Sequence, residues 1–345
     1  MVGLSVSSPG KFPYVELRAH TAFSFGDGSV TPDALVKHAV ALGYRSIGIT
    51  DTADVGGLVR AMLAVREHRC DMHILAGAEL RVDGRPMAFL ARNAGGYRNL
   101  AGLITQSRVG AWGVWDKTAA GKGRGRPNIT RAQLFARSEG LHALTGPASG
   151  ALAAFMRAGD REGAERWLAE FREMFRGRIA VEVQLHHAGG AEGALAGALI
   201  ELAERRGVPW VVVNDPRYID ESSRVVHDLL TALRHEMEVS VALRAGVLHP
   251  NGEWRLLSAA EMQRRWQGRE AGIEESARIA ADLEPLELAW MRPPLPEFSK
   301  LVGRDADEFL REKTYEGARA RWGEALSDAQ RRQLEHELVD RKSVV

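Results

Sequence analysis

The chain has 345 residues, 45% of them apolar and 26% charged, with a net charge of +1. These proportions describe an ordinary globular protein and exclude a low-complexity or fibrous chain. No apolar run reaches membrane-spanning length, and the near-neutral charge carries no bulk attraction to nucleic acid. Cys70 is the sole cysteine, so an intrachain disulfide is excluded and a reducing, cytoplasmic setting is expected. Residues 1–13 bear Gly, Ser and Pro and read as a flexible leader.

Tyr14–Ala19 reads as a first strand, leading into a loop with His20, Ser24 and Asp27. Thr31-Pro32 opens a helix as N-cap and first helical residue, and Gly43 closes it. Ser46–Thr50 is a short buried strand ending in Asp51-Thr52-Ala53-Asp54, followed by a helix over Gly57–Arg69. Strands are expected at His73–Leu80 and Pro86–Ala91, and a helix at Tyr97–Gln106. Gly110–Asn128 has no hydrophobic period and reads as an exposed loop with Trp112, Trp115 and the basic run Lys122–Arg126. Further strands fall at His142–Thr145, Ile179–Leu185 and Trp210–Asn214. Helices alternate with them, and Ser258 with Glu261 forms a capping box. A Pro-rich segment over 291–304 separates this region from a charged helical stretch at Asp305–Glu337, whose apolar residues are too few to bury a core alone.

Alternating strands and helices point to an α/β fold of parallel strands with crossover helices, either a barrel or an open sheet. His20, Asp27, Asp51, Glu79 and Asp215 all lie just beyond strand ends. A barrel gathers such loops at one mouth, which makes them candidate metal or catalytic groups. His186 and His187 are adjacent and cannot chelate from one helix face, so they read as structural, as do His142, His227 and His235.

Several motifs in order carry a resemblance: Ser-Phe-Gly-Asp-Gly28, Ile-Thr-Asp51, Gly-Ala-Glu79 and Asn-Asp-Pro-Arg-Tyr218. Over about Tyr14–Trp290 the chain resembles the PHP domain at the N-terminus of bacterial DNA polymerase III alpha subunits, in the error-prone branch. The helix at Phe309–Ala318 and the stretch Arg331–Leu338 resemble the start of the polymerase region. The resemblance implies a seven-stranded PHP-type (β/α) distorted barrel over 14–290, a linker over 291–304, and an incomplete polymerase start over 305–339. Residues 340–345 depart from the family and match one reading frame of a common sequencing adapter, so a non-native tail is expected there.

The family's metal centre is implied at His20, Asp27, Glu79 and Asp215, where the ligand types are retained. Five further ligand positions carry other residues: Arg18, Thr52, Arg108, Pro147 and Arg217. Arginine offers only donors and proline has no side-chain donor atom, so metal is expected to be weakly held or absent, with no Zn2+ or Mn2+. Arg18, Arg108 and Arg217 are instead expected to pair with the mouth carboxylates. The implied function is a structural scaffold in an error-prone DNA polymerase acting in damage-tolerant replication. The whole polymerase would need Mg2+, and its partners would be DNA and other replication or damage-response subunits. No catalytic residue is expected in this stretch. Lys122, Arg124 and Arg126 read as a candidate phosphate contact, weighed against a solvated loop. The alternative function is a metal-dependent phosphoesterase acting on a small phosphate ester or a DNA end.

Overall fold

The computed structural model describes residues 14–111, 115–116, 123–124, 127–286 and 303–342. The chain divides into two compact units, Met1–Leu286 and Glu287–Val345. In the first unit the strands are β1 (Glu16–Ala19), β2 (Ser46–Ile49), β3 (His73–Val82), β4 (Arg85–Ala91), β5 (Trp115–Asp116), β6 (Gly123–Arg124), β7 (Leu141–Leu144), β8 (Ile179–Val183) and β9 (Trp210–Val212). The helices are α1 (Pro32–Ala41), α2 (Gly56–Glu67), α3 (Ala94–Ala111), α4 (Arg131–Phe135), α5 (Ala151–Arg157), α6 (Arg161–Met174), α7 (Glu192–Arg206), α8 (Glu221–Arg234), α9 (Val239–Arg244), α10 (Ala259–Arg265) and α11 (Ala271–Ala281).

Seven strands form one curled sheet in the order β1-β2-β3-β4-β7-β8-β9. Its inner face carries Leu17, Leu75, Leu90, Leu144, Val211 and Val213, closed by Ile279 of α11 and Leu283 just after it. The helices cover the outer face, where a larger apolar layer includes Leu35, Leu58, Leu103, Phe171 and Leu202. The two end strands are stitched by side chains and loops. Asn214 N–H donates to Glu16 Oε2 (2.9 Å), His20 N–H to Pro216 O (3.1 Å), and Val15 N–H to Ser276 Oγ of α11 (3.1 Å). Local capping starts the helices where the sequence placed them. Thr31 Oγ1 accepts from Ala34 N–H before Pro32, and the capping box of Ser258 and Glu261 is formed.

Three features differ from the sequence reading. The sheet is mixed, because β4 runs antiparallel to both β3 and β7. Asp83 and Gly84 (φ 47° and 81°) make a two-residue hairpin turn, too short for a crossover. Within 110–128 the helix runs on to Ala111, and Trp115–Asp116 pairs antiparallel with Gly123–Arg124. The helix α9 had no counterpart in the reading.

In the second unit, α12 (Ala306–Trp322) and α13 (Asp328–Lys342) replace the single expected helical stretch. Gly323, at φ 91°, ends the first of them. Among the described residues here, Ala318, Leu326 and Leu338 are the buried apolar ones. The leader, most of the 291–304 linker, the end of the 340–345 tail, and Lys122 and Arg126 lie outside the described residues.

Candidate functional site

The barrel mouth is organised around Arg18, whose side chain is fully buried. Glu16 stands opposite Ile47 and Ala19 opposite Ile49, so β1 carries one residue more than β2 between these pairs. Such a bulge re-aims side chains. Leu17 lies in the inner apolar set, and Arg18 next to it also turns into the barrel. Its Nη1 donates to both carboxylate oxygens of Glu182 (2.7 and 2.8 Å). Its Nη2 donates to Glu79 Oε2, and its Nε lies 3.2 Å from Asp215 Oδ1. One guanidinium therefore serves three carboxylates.

A second cation shares Asp215. Arg217 donates from Nη2 to Asp215 Oδ2 (2.9 Å) and from Nη1 to Asp27. Arg234 of α8 reaches the other oxygen of Asp27 at 3.1 Å. Asp215 takes this place with a left-handed backbone (φ 51°), a strained conformation of the kind that concentrates at functional sites. His20 Nε2 lies 3.2 Å from Asp215 Oδ1, and its Nδ1 is 2.8 Å from Ser24 Oγ. Asp51 pins the loop below. It accepts from Thr21 N–H, the Thr21 hydroxyl and the Ser24 hydroxyl, each at 2.7 Å.

Burial alone would raise the Asp215 carboxyl, but the charges of Arg18 and Arg217 overcome it and hold the group well below the carboxylate range. Asp27 behaves likewise: burial opposes ionisation, and Arg217, His20 and Arg234 outweigh it. Arg18 is driven the other way. Desolvation disfavours its charge, and Asp215, Glu182 and Glu79 more than restore it. Glu16, buried beneath the mouth, is pushed up to about 8, chiefly by burial. Its donors are the Tyr14 hydroxyl and the N–H groups of Arg18 and Asn214.

Of the residues singled out from sequence, His20, Asp27, Glu79, Asp215, Arg18 and Arg217 are brought together here. Thr52 joins them weakly through its hydroxyl to Glu79 Oε1 (3.3 Å). Pro147 lines the adjoining cavity. Arg108 does not serve the mouth carboxylates. Its Nη2 donates to Asp54 Oδ2 (2.7 Å) and its Nε to Ala53 O (2.8 Å). The helix α3 carries Arg108 to the loop after β2, where Asp54 takes its charge. Arg124 lies in β6. His142 and His227 were read as structural; both are buried, His142 Nε2 and His227 Nε2 have no hydrogen bond, and His227 Nδ1 lies 3.6 Å from Asp228 Oδ1. The sequence reading also missed Glu182. Its signal was a lone charge on the inward face of an apolar strand, Ile-Ala-Val-Glu-Val.

A cavity of about 490 Å³ opens beside this network, with Asp27, Glu182, Gln184, Asp215 and Arg217 on its polar wall. Trp254 and His249 line it too, within a stack of planar rings. His186 and His249 each lie 4.0 Å from Trp254, and His227 lies 4.5 Å from His249. The divalent ions that the resemblance implies do not fit the residues present. Arg18 already engages the oxygens of Glu79 and Asp215 that an ion would need. Among the described residues, no group of three or more His, Cys, Asp or Glu side chains is arranged to hold a metal ion.

Residues 16–186 match the PHP domain family. The chain is 32% identical over 330 residues to the error-prone DNA polymerase of Pseudomonas aeruginosa, covering 94% of this chain and 28% of that protein. It is 32% identical over 341 residues to the error-prone DNA polymerase of Mycolicibacterium paratuberculosis, covering 94% of this chain and 30% of that one. The chain thus spans less than a third of the length of these curated relatives. Among solved structures, an amidohydrolase from Chromobacterium violaceum is similar with a TM-score of 0.40 and 16% identity, over 58% of this chain and 85% of that one. No described helix is long and apolar enough to cross a membrane. Residues 16–186 therefore form a PHP domain, in a chain that resembles the error-prone DNA polymerases over almost all of its length.

Proposed function

We propose that this PHP domain is a metal-depleted scaffold within an error-prone DNA polymerase, whose template-directed synthesis resides outside the stretch described. The observation that carries the reading is Arg18, fully buried and held by Glu79, Glu182 and Asp215. Three carboxylates converging on one point repel each other unless a cation lies among them. In a phosphoesterase of this family that cation is a metal ion. Here an arginine, which cannot leave, carries the charge. A guanidinium offsets part of the carboxylate charge, with Arg217 adding a second cation at Asp215, but it has no open coordination position and activates no water. The mouth then keeps its shape without the chemistry. Damage-tolerant replication, a DNA substrate and a cytoplasmic location follow from the polymerase likeness and belong to the same proposal.

The test is metal analysis of the purified chain after equilibration with Mn2+ or Zn2+, with phosphodiester hydrolysis assayed in parallel. The expected result is well below one equivalent of metal and no hydrolysis. One observation favours a second reading, a phosphoesterase. The cavity beside Asp27, Asp215 and Arg217 is large enough for a small phosphate ester. Stoichiometric metal, with hydrolysis that Asp215→Asn abolishes, establishes that reading and removes the first.

A further inference from the structure

On the outer face of the sheet, α5 and α6 leave a hollow between them. Its floor is apolar: Met87 of β4, with Trp167 and Phe171 of α6, whose ring centroids stack 4.0 Å apart. Ala151 and Ala154 of α5 form another wall, and side chains this small leave open the space that larger ones would fill. The result is a cavity of about 390 Å³, within the size range of small-ligand sites. It shares no lining residue with the cavity at the mouth. The rim is charged, and one charge is left over. Asp83 accepts from Arg131 Nε (2.6 Å), and Arg131 Nη1 donates to Glu170 Oε2 (2.9 Å). Asp160 caps α6, where its Oδ1 accepts from Gly163 N–H (2.8 Å) and the helix N-terminus offsets its charge. Arg85 differs. Among the described residues its Nη1 reaches the Ser149 carbonyl oxygen at 3.4 Å, and no carboxylate pairs with it.

We propose that this hollow binds an apolar anion: a body the size of a phenyl or branched alkyl group, carrying one carboxylate toward Arg85. The body is apolar because a polar group on that floor would lose water without gaining a partner. The charged end is anionic because the free group at the rim is a guanidinium, which pairs best with a carboxylate. A free acid and the C-terminus of a polypeptide ending in an apolar residue share this chemistry. The site lies outside the mouth, so the proposal does not depend on the polymerase reading.

Met87 lines the floor and is one of nine methionines, so its methyl group reports on the site by itself. The test is methyl NMR of the full chain with isotope-labelled methionine, titrated with hydrocinnamate, and the Met87 signal is assigned with Met87→Leu. The expected result is a saturable shift of the Met87 methyl with Kd below about 1 mM. Arg85→Gln, and replacement of the acid by its neutral amide, are each expected to weaken binding about fivefold. Ala154→Phe is expected to fill the hollow and abolish the shift. No shift at about 10 mM acid overturns the proposal. Equal affinity in Arg85→Gln overturns it too, as do equal shifts at the other methionines, because the acid then has no defined site. Arg85 is exposed, so its variant keeps the test decisive if Ala154→Phe does not fold. The tripeptide Gly-Gly-Phe separates the two sources. Tighter binding than hydrocinnamate identifies a polypeptide C-terminus, weaker binding a free acid, and either supports the site.

Discussion

Arg18 has no contact with solvent, and its charge is shared among Glu79, Glu182 and Asp215. A buried ion pair adds little net stability over an apolar replacement of both partners, but deleting one partner strands the other. Arg18→Met is therefore expected to destabilise the first unit by roughly 3–5 kcal/mol, read from urea unfolding. A loss under about 1 kcal/mol would show that the carboxylates are neutral or solvated without it. A second titrating group has the opposite sign. Glu16 is raised from 4.5 to about 8 by burial, so the folded state keeps a proton that the unfolded chain releases. Stability is then expected to fall as pH rises from about 5 to 8, by up to about 1.4 kcal/mol per pH unit. Glu16→Gln is expected to flatten that slope, and an unaltered slope in the variant would assign it to another group. Asp27 and Asp215, held low by Arg217 and Arg18, act in a different window. Their contribution is present above the ordinary carboxylate pKa and is lost as pH falls below it. Much of this was legible in the sequence, because His20 and Asp215 follow strand ends, Asp27 lies in the loop after β1, and Arg18 and Arg217 replace expected ligands; Glu79, expected just beyond a strand end, instead lies within β3 opposite Ala88. The aim of Arg18 was not legible. It depends on the bulge in β1, and a two-residue period cannot show that Leu17 and Arg18 both turn inward.

At the scale of elements, caps and short turns set the local structure, and close approaches set the geometry of the sheet. Gly48 in β2 lies against β1, where an added Cβ would sit 2.3 Å from the Leu17 carbonyl oxygen. That oxygen is backbone and cannot swing away, so Gly48→Ala must push β1 from β2 and shift the bulge that aims Arg18. A loss of about 1–3 kcal/mol is expected, measured by thermal unfolding, and a wild-type Tm would place the strands further apart than described. Helix starts were readable because Thr31, Thr130 and Ser258 are capping residues with side chains that reach back to the first turn. The antiparallel course of β4 was equally available in Asp83-Gly84, a hairpin signal outweighed by the alternation of strands and helices. α8 was placed from its period, but a period gives a stripe and not its direction. Its apolar stripe faces out, which only the structure reveals.

At the scale of the whole molecule, the two units differ in kind. The first holds an apolar barrel interior under a polar, ion-paired mouth. The second has two charged helices in which Ala318, Leu326 and Leu338 are the buried apolar residues described. In the first unit, three carboxylates that resemble the ligands of a catalytic PHP site converge as such a site requires, and guanidinium groups hold them there. The scaffold proposal accordingly expects the mouth to be stable without an ion. That claim is tested by thermal unfolding of the chain in EDTA and in a titration with Mn2+ and Zn2+. A ligand that binds only the folded state raises Tm with concentration. The ion-paired mouth predicts the same Tm in all conditions to within about 1 °C. A saturable rise of several degrees at about stoichiometric metal, absent in Asp215→Asn, would contradict it.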